Sequence, residues 1–194
     1  MWPAPITLTG THVSLAPLSQ DHASDLAEAS ADGDLSSLWY TMVPTPEEVP
    51  ANIDARNATS GITPFAILDP TGKAVGMTTF MNADAANRRV EIGSIWYRAA
   101  AQRSPMNTEC KLLMLRHAFE ELDCIAVEFR THFLNQQSRR AIERLGEKFD
   151  GVLRNHMIMA NDTLRDTAVY SICQHEWPAV RANLKHKLAR MAQA

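Results

Sequence analysis

Residues 91–107 read Glu-Ile-Gly-Ser-Ile-Trp-Tyr-Arg-Ala-Ala-Ala-Gln-Arg-Ser-Pro-Met-Asn. Val90, Ile92 and Trp96 alternate with Glu91, Gly93 and Tyr97, which is the texture of a strand. Ser104-Pro105 then opens a helix. The serine suits the cap, and the proline, whose missing N–H is no loss there, suits the first helical position. A helix that starts straight after a strand leaves unpaired backbone N–H groups at the positive end of its dipole. Such groups can hold a phosphate or pyrophosphate, and Arg103 adds a charge beside them. An ordinary capped helix has the same spacing, so the junction by itself admits both readings.

Toward the C-terminus the helix is predicted to run to about Leu122. Leu112, Leu115, Phe119 and Leu122 recur at three and four residues, which makes one buried face. Residues 124–131 read as a strand. Residues 135–145 read as a helix closed by Gly146. Residues 151–159 and 165–172 form a hairpin around Asn161-Asp162-Thr163, and 176–191 a last helix burying Trp177, Val180, Leu184 and Leu188.

Toward the N-terminus, 82–89 reads as a polar connection, and 65–68 and 74–81 as strands around the turn at 69–73. Thr45, Pro46 and Glu48 form a capping box at a helix start. Residues 35–44 read as a loop or a short turn of helix. Residues 19–31 read as a helix capped by Ser19, and 12–18 as the first strand. The order is therefore β-α-α-β-β-β-α-β-α-β-β-α. It predicts an α+β fold: a mixed, mostly antiparallel sheet with helices on both faces.

The 194 residues are 45% hydrophobic and 21% charged, enough for one well-filled core and short for two domains. Net charge is -3 with no basic run, which speaks against nucleic acid as a partner. No apolar run reaches the roughly 20 residues of a membrane span. Cys110, Cys124 and Cys173 are odd in number and far apart, as in a reducing compartment, and they read as buried thiols. The expectation is a single cytoplasmic domain over 1–194. The seven histidines show no metal-ligand spacing, so no metal is expected.

From Val90 onward the chain resembles the Gcn5-related N-acetyltransferases (GNAT), most nearly the RimJ/RimL-like branch that acetylates ribosomal-protein alanines. The resemblance is carried by Glu91-Ile92-Gly93, by residues 102–109 and 112–119, by Asn135 to Gly146, and by Gly151-Val152-Leu153-Arg154. Asp166-Thr167, Tyr170-Ser171-Ile172 and Glu176-Trp177-Pro178 complete it. The first half agrees only in element order. The resemblance implies a central sheet with a splayed parallel pair, acetyl-CoA as cosubstrate, a primary amine as acceptor and a homodimer.

The family's phosphate loop begins at Gln102, but its glycine positions are Pro105 and Asn107 here, and Pro105 has no N–H to give. The resemblance assigns the pyrophosphate to the turn holding Gln102, Arg103, Ser104, Met106, Asn107 and Thr108, with the amides of Arg103, Ser104, Asn107 and Thr108 favoured. It makes Glu91 the base that takes the amine proton through water. A backbone N–H near Ile95 or Trp96 becomes the oxyanion donor. The tyrosine that many members place seven residues after the asparagine falls here on Ile142, which cannot donate. Ser138, one helical turn after Asn135, takes that role, and Asn135 holds the cofactor chain. Trp39, Tyr40, Arg89 and His156 are the candidate acceptor contacts, with His132 a further possible wall of the cleft. Arg88 and Arg89 keep a succinyl-CoA donor open, and the lost tyrosine and glycines keep a non-catalytic CoA-binding regulator open.

Overall fold

The computed structural model describes residues 2–33, 39, 41, 43–102 and 104–191. In chain order the elements are β1 (Leu8–Thr9), β2 (Ser14–Pro17), α1 (Ala23–Ala31), α2 (Val49–Ala58), β3 (Thr63–Leu68), β4 (Ala74–Asp84) and β5 (Arg89–Tyr97). They continue with α3 (Pro105–Arg116), β6 (Ala126–His132), α4 (Gln136–Glu143), β7 (Lys148–Ile158), β8 (Leu164–Cys173) and α5 (Trp177–Met191). The eight strands make one sheet in the order β1-β2-β3-β4-β5-β6-β8-β7. Every neighbouring pair is antiparallel except β5 with β6, which run parallel.

Local chemistry sets the helix starts. Glu48 Oε2 accepts the Thr45 N–H at 2.9 Å, closing the capping box that precedes α2. Asn135 Oδ1 accepts the Ser138 N–H at 3.0 Å and caps α4. Gly146 ends that segment at φ +108°, a conformation with no penalty for glycine.

The two sheet faces carry different helices. Phe65, Phe80, Ile92, Val127, Phe129 and Tyr170 pack under α3, α4 and α5 through Leu113, Met114, Leu115, Ile142, Trp177, Val180 and Leu184. On the opposite face Leu26 and Ala29 of α1, with Val49 and Ile53 of α2, pack on Ala66, Met77 and Trp96. That second cluster draws no residue from β6, β7 or β8. The face therefore stays open over those strands among the described residues, and a cavity of about 410 Å³ opens there.

The structure differs from the sequence expectation in several places: β7 starts at Lys148, and Leu112, Leu122 and Leu188 are only half-buried. β1 is an extra, two-residue strand. The segment at 82–89 is half strand, because β4 runs to Asp84 and β5 begins at Arg89, with a turn between them. The third helix leaves α geometry at Arg116 and closes in a π-helical turn, His117–Glu121, where His117 Nδ1 meets Glu121 Oε2 at 2.8 Å. Cys173 is half-buried, whereas Cys110 and Cys124 are fully buried.

One buried carboxylate ties the first strands to α3. Glu109 accepts the backbone N–H groups of Thr11 (2.9 Å), His12 and Val13 (3.0 Å). Gly10 clears the way, since a Cβ there would stand 2.6 Å from Glu109 Cδ. Removing the carboxylate strands three donors in a partly dry site. Glu109→Ala is therefore expected to cost about 2–4 kcal/mol, read as a drop in the urea midpoint, while Glu109→Gln retains part of it.

Candidate active site

The parallel pair is short. Only Arg89, Val90 and Glu91 of β5 pair with Ala126, Val127 and Glu128 of β6. The cause lies on the other edge of β5. Between Gly93 and Trp96 β5 spends three residues where β4 spends two, from Thr79 to Met77. The extra residue is a bulge, with Ser94 at φ 48°. A bulged strand bends and twists, so β5 turns from β6 after Glu91. The backbone of β5 beyond that point meets no strand on its β6 side among the described residues.

Glu91 sits at the fork and is 4% exposed. Its Oε2 accepts from Asn82 Nδ2 at 2.7 Å and lies 3.4 Å from Arg130 Nε. A second bulge delivers Asn82: β4 spends three residues from Met81 to Asp84 against two on β5, and Asn82 takes φ 47°. Gly93 makes the room, since a Cβ there would stand 2.9 Å from Glu91 Oε1. Burial pushes the Glu91 carboxyl above the ordinary carboxylate range, against the Asn82 bond and the Arg130 charge.

Side chains two residues apart on neighbouring strands share the open face. Glu91 stands opposite Glu128, Arg130 opposite Val169, and His132 opposite Thr167. Glu128 takes Arg130 Nη2 at 2.8 Å and Arg89 Nε at 3.1 Å. Burial opposes its ionisation, yet the two arginines outweigh it and hold its carboxyl low. His132 Nδ1 accepts the Leu134 N–H at 3.1 Å, so the neutral ring carries its proton on Nε2. Burial, then the Arg165 charge, holds that imidazole below its ordinary value. The Trp39 ring stands edge-on to His132 at 5.1 Å.

At the start of α3 most main-chain amides are already spent. Ala99, Ala101 and Gln102 spend their N–H groups on Asp32, Arg98 and Ala99 carbonyls, and Ala100 on the Asp32 carboxylate. Ser104 Oγ donates to the Ala101 carbonyl at 2.7 Å and accepts the Met106 N–H at 3.3 Å. The N–H groups of Ser104 and Asn107 are left over among the described residues. Thr108, 0% exposed, adds a buried Oγ1 that meets no hydrogen-bond partner. Leftover amides, an orphan hydroxyl and a helix dipole make this turn fit a pyrophosphate.

Comparison with known proteins agrees with this geometry. Residues 12–148 match the family described as the acetyltransferase (GNAT) domain. The chain belongs to the GNAT acetyltransferase family. Its relatives include YdaF of Bacillus subtilis (strain 168), whose name assigns it provisionally to the ribosomal N-acetyltransferases. The two are 30% identical over 106 residues, 55% of this chain and 57% of YdaF, so the match spans little more than half of that protein. A GCN5-related N-acetyltransferase from Brucella melitensis superposes with a TM-score of 0.89 at 33% identity, covering 96% of this chain and 86% of that one. Mycobacterium smegmatis RimJ, crystallised with CoA-disulfide, shares the fold with a TM-score of 0.76 at 21% identity, covering 96% and 95%.

Against this GNAT frame the sequence candidates fall in different places. Glu91, Arg89, Trp39 and His156 come to the open face, Arg89 through Glu128 and His156 through Thr167 at 3.1 Å. Ser104, Asn107 and Thr108 line the α3 start. Asn135 and Ser138 stand at the α4 start, just past the end of β6. Asn135 spends its Oδ1 on the cap, which leaves its amide N–H2 group for other partners. Arg103 and Tyr40 lie outside the described residues. The Met106 amide is taken by Ser104, and Gln102 turns its Nε2 to the Tyr97 carbonyl at 3.3 Å. The Trp96 side chain is committed to the cluster under α1 and α2, and Ile95 is half-buried against the main core, so both offer a ligand mainly their main chain.

Sequence reasoning did not pick out Asn82, Glu128, Arg130 or Arg165. The alternation of Glu128, Arg130 and His132 with Val127, Phe129 and Thr131 was the available signal for a polar, open face. Arg130 holds the Glu91 carboxyl down, so Arg130→Gln is expected to move its titration midpoint upward, followed by carbon-13 NMR. An unmoved midpoint would show that Arg130 does not act on Glu91.

Proposed function

We propose that this protein transfers an acetyl group from acetyl-CoA to a primary amine by direct attack, with donor and acceptor bound together. The observation that carries the reading is the buried Glu91 carboxylate at the fork between β5 and β6. Bound acetyl-CoA would supply the activated thioester; the remaining work falls to this chain. The Ser104 and Asn107 amides and the Thr108 hydroxyl would hold the pyrophosphate. The freed edge of β5 would pair with the pantetheine arm, and the Asn135 amide would steady it. A β5 N–H near Ile95 or Trp96 would receive the negative charge that builds on the carbonyl oxygen. Ser138 would return a proton to the departing sulfur.

A base with a raised pKa suits this task. Glu91 must be ionised to take the amine proton, so turnover falls as pH drops through its midpoint, which lies above the ordinary carboxylate range. The name of YdaF, which speaks of a ribosomal N-acetyltransferase, favours a protein amine as acceptor over a small-molecule amine, and the CoA-disulfide bound to RimJ supports the cofactor. The same reading takes 1–194 as one domain, places it in the cytoplasm and makes it a homodimer. Among the described residues no helix is long and apolar enough to cross a membrane, and no cluster of three metal-ligating side chains occurs. The succinyl alternative draws no support from Arg88 and Arg89, which are engaged with Asp123 and Glu128. The regulator alternative leaves the burial of Glu91 without a purpose.

The test is thiol release from acetyl-CoA over a panel of amines and N-terminal peptides. Glu91→Gln is expected to lower kcat by about 100-fold or more and to remove the acidic limb of the pH profile; Ser138→Ala is expected to lower it about tenfold. Full turnover in both variants would overturn the catalytic assignment.

A further inference from the structure

The open face holds several arginines, and one is set apart. Arg89 pairs with Glu128, Arg130 with Glu128 and Glu91, and Arg154 with Asp166. Arg165, at the start of β8, has no ion pair among the described residues. It is half-buried, and its one hydrogen bond runs from Nε to Thr167 Oγ1 at 3.0 Å. The neighbouring Asp166 cannot serve it, being spent on Arg154 and on the Asn155 N–H at 2.8 Å.

The bond to Thr167 aims Arg165. Thr167 is buried, stands opposite His132, and is itself held by His156 Nδ1 at 3.1 Å. The guanidinium is thus folded back along β8 toward the Glu91 end of the face. Its charge bears on both Glu91 and His132. Its two Nη groups meet no described partner, and burial lowers its pKa against the pull of the Glu91 charge, the mark of a desolvated cation that no carboxylate contacts directly among the described residues. Such a cation is costly unless a ligand supplies the partner.

We infer that Arg165 anchors a carboxylate carried by the acceptor amine a few bonds from the reacting nitrogen. The inference rests on the reading of Glu91 as the base at the other end of the same face. The free fork of an arginine matches a carboxylate in two parallel bonds. A phosphate would match the fork too, but its greater charge would lie beside Glu91 and Glu128. A single negative charge is the better fit. The carboxylate has two sources: the α-carboxylate of a free amino acid, or an acidic side chain near a peptide N-terminus.

Binding and turnover are measured separately on the full chain. With coenzyme A saturating, calorimetry compares each free amino acid with its carboxamide, and dipeptides ending in Asp-amide with the matching Asn-amide. On the wild type the carboxylate member of at least one pair is expected to bind about tenfold tighter or better. Discrimination in the amino-acid pair identifies the α-carboxylate; discrimination in the peptide pair identifies the acidic side chain. Arg165→Gln is expected to erase the difference, and Arg165→Lys to restore part of it, with both variants melting within a few degrees of the wild type. In thiol-release assays the same change appears as a rise in KM with kcat within about threefold. Equal binding of both members of every pair by the wild type, or a preference that survives in Arg165→Gln, overturns the inference. Carboxylate-selective binding without acetyl release would sustain it while sinking the catalytic reading of Glu91.

Discussion

One extra residue in β5 governs the rest of the structure. The bulge around Ser94 shortens the parallel pairing with β6 to three residues and opens a fork inside an otherwise continuous sheet. Backbone N–H and C=O groups inside a fold are normally paired, so a strand edge that leaves its neighbour keeps main-chain groups able to pair with polar groups of a ligand. The fork also sets where the two faces communicate. On one side α3, α4 and α5 seal a dry core; on the other the apolar cluster stops at β5, and the sheet beyond it is polar among the described residues.

Electrostatics on that open face follows from how few charges are left uncompensated. Glu128 absorbs Arg89 and Arg130, which keeps it ionised and spends both arginines. Glu91, more deeply buried, gets only the Asn82 amide and a 3.4 Å contact with Arg130, so burial prevails and its proton is held more firmly. Two carboxylates on adjacent strands thus have opposite tendencies, one an ion-pair anchor and one a base. The second bulge, at Asn82, is part of this, because without it the amide would not face the carboxylate.

Much of this could be read in the residues. Ser104-Pro105, Thr45-Pro46-x-Glu48 and Asn135 announced helix starts through chemistry confined to one turn, and the structure has helices there. The hairpin around Asn161-Asp162-Thr163 was legible for the same reason. The bulges were not, because Ser94 and Asn82 reach positive φ without glycine, and nothing in the alternation of β5 or β4 marks the inserted residue. The π-helical end of the third helix was hidden likewise, since Phe119 keeps its buried place in either geometry. Arg165 was beyond reach for a different reason. Its isolation follows from its place in the register, opposite Met157 of β7 and past the last β6 residue, which only the structure reveals.

The fork itself is open to direct observation by amide hydrogen exchange with and without coenzyme A. The account predicts that the amides of residues 92–96, Ser104 and Asn107 gain protection on adding coenzyme A, while the amides of β1 to β3 stay as they were. Protection that appears elsewhere, or an exchange pattern at the fork that coenzyme A leaves unchanged, would contradict it.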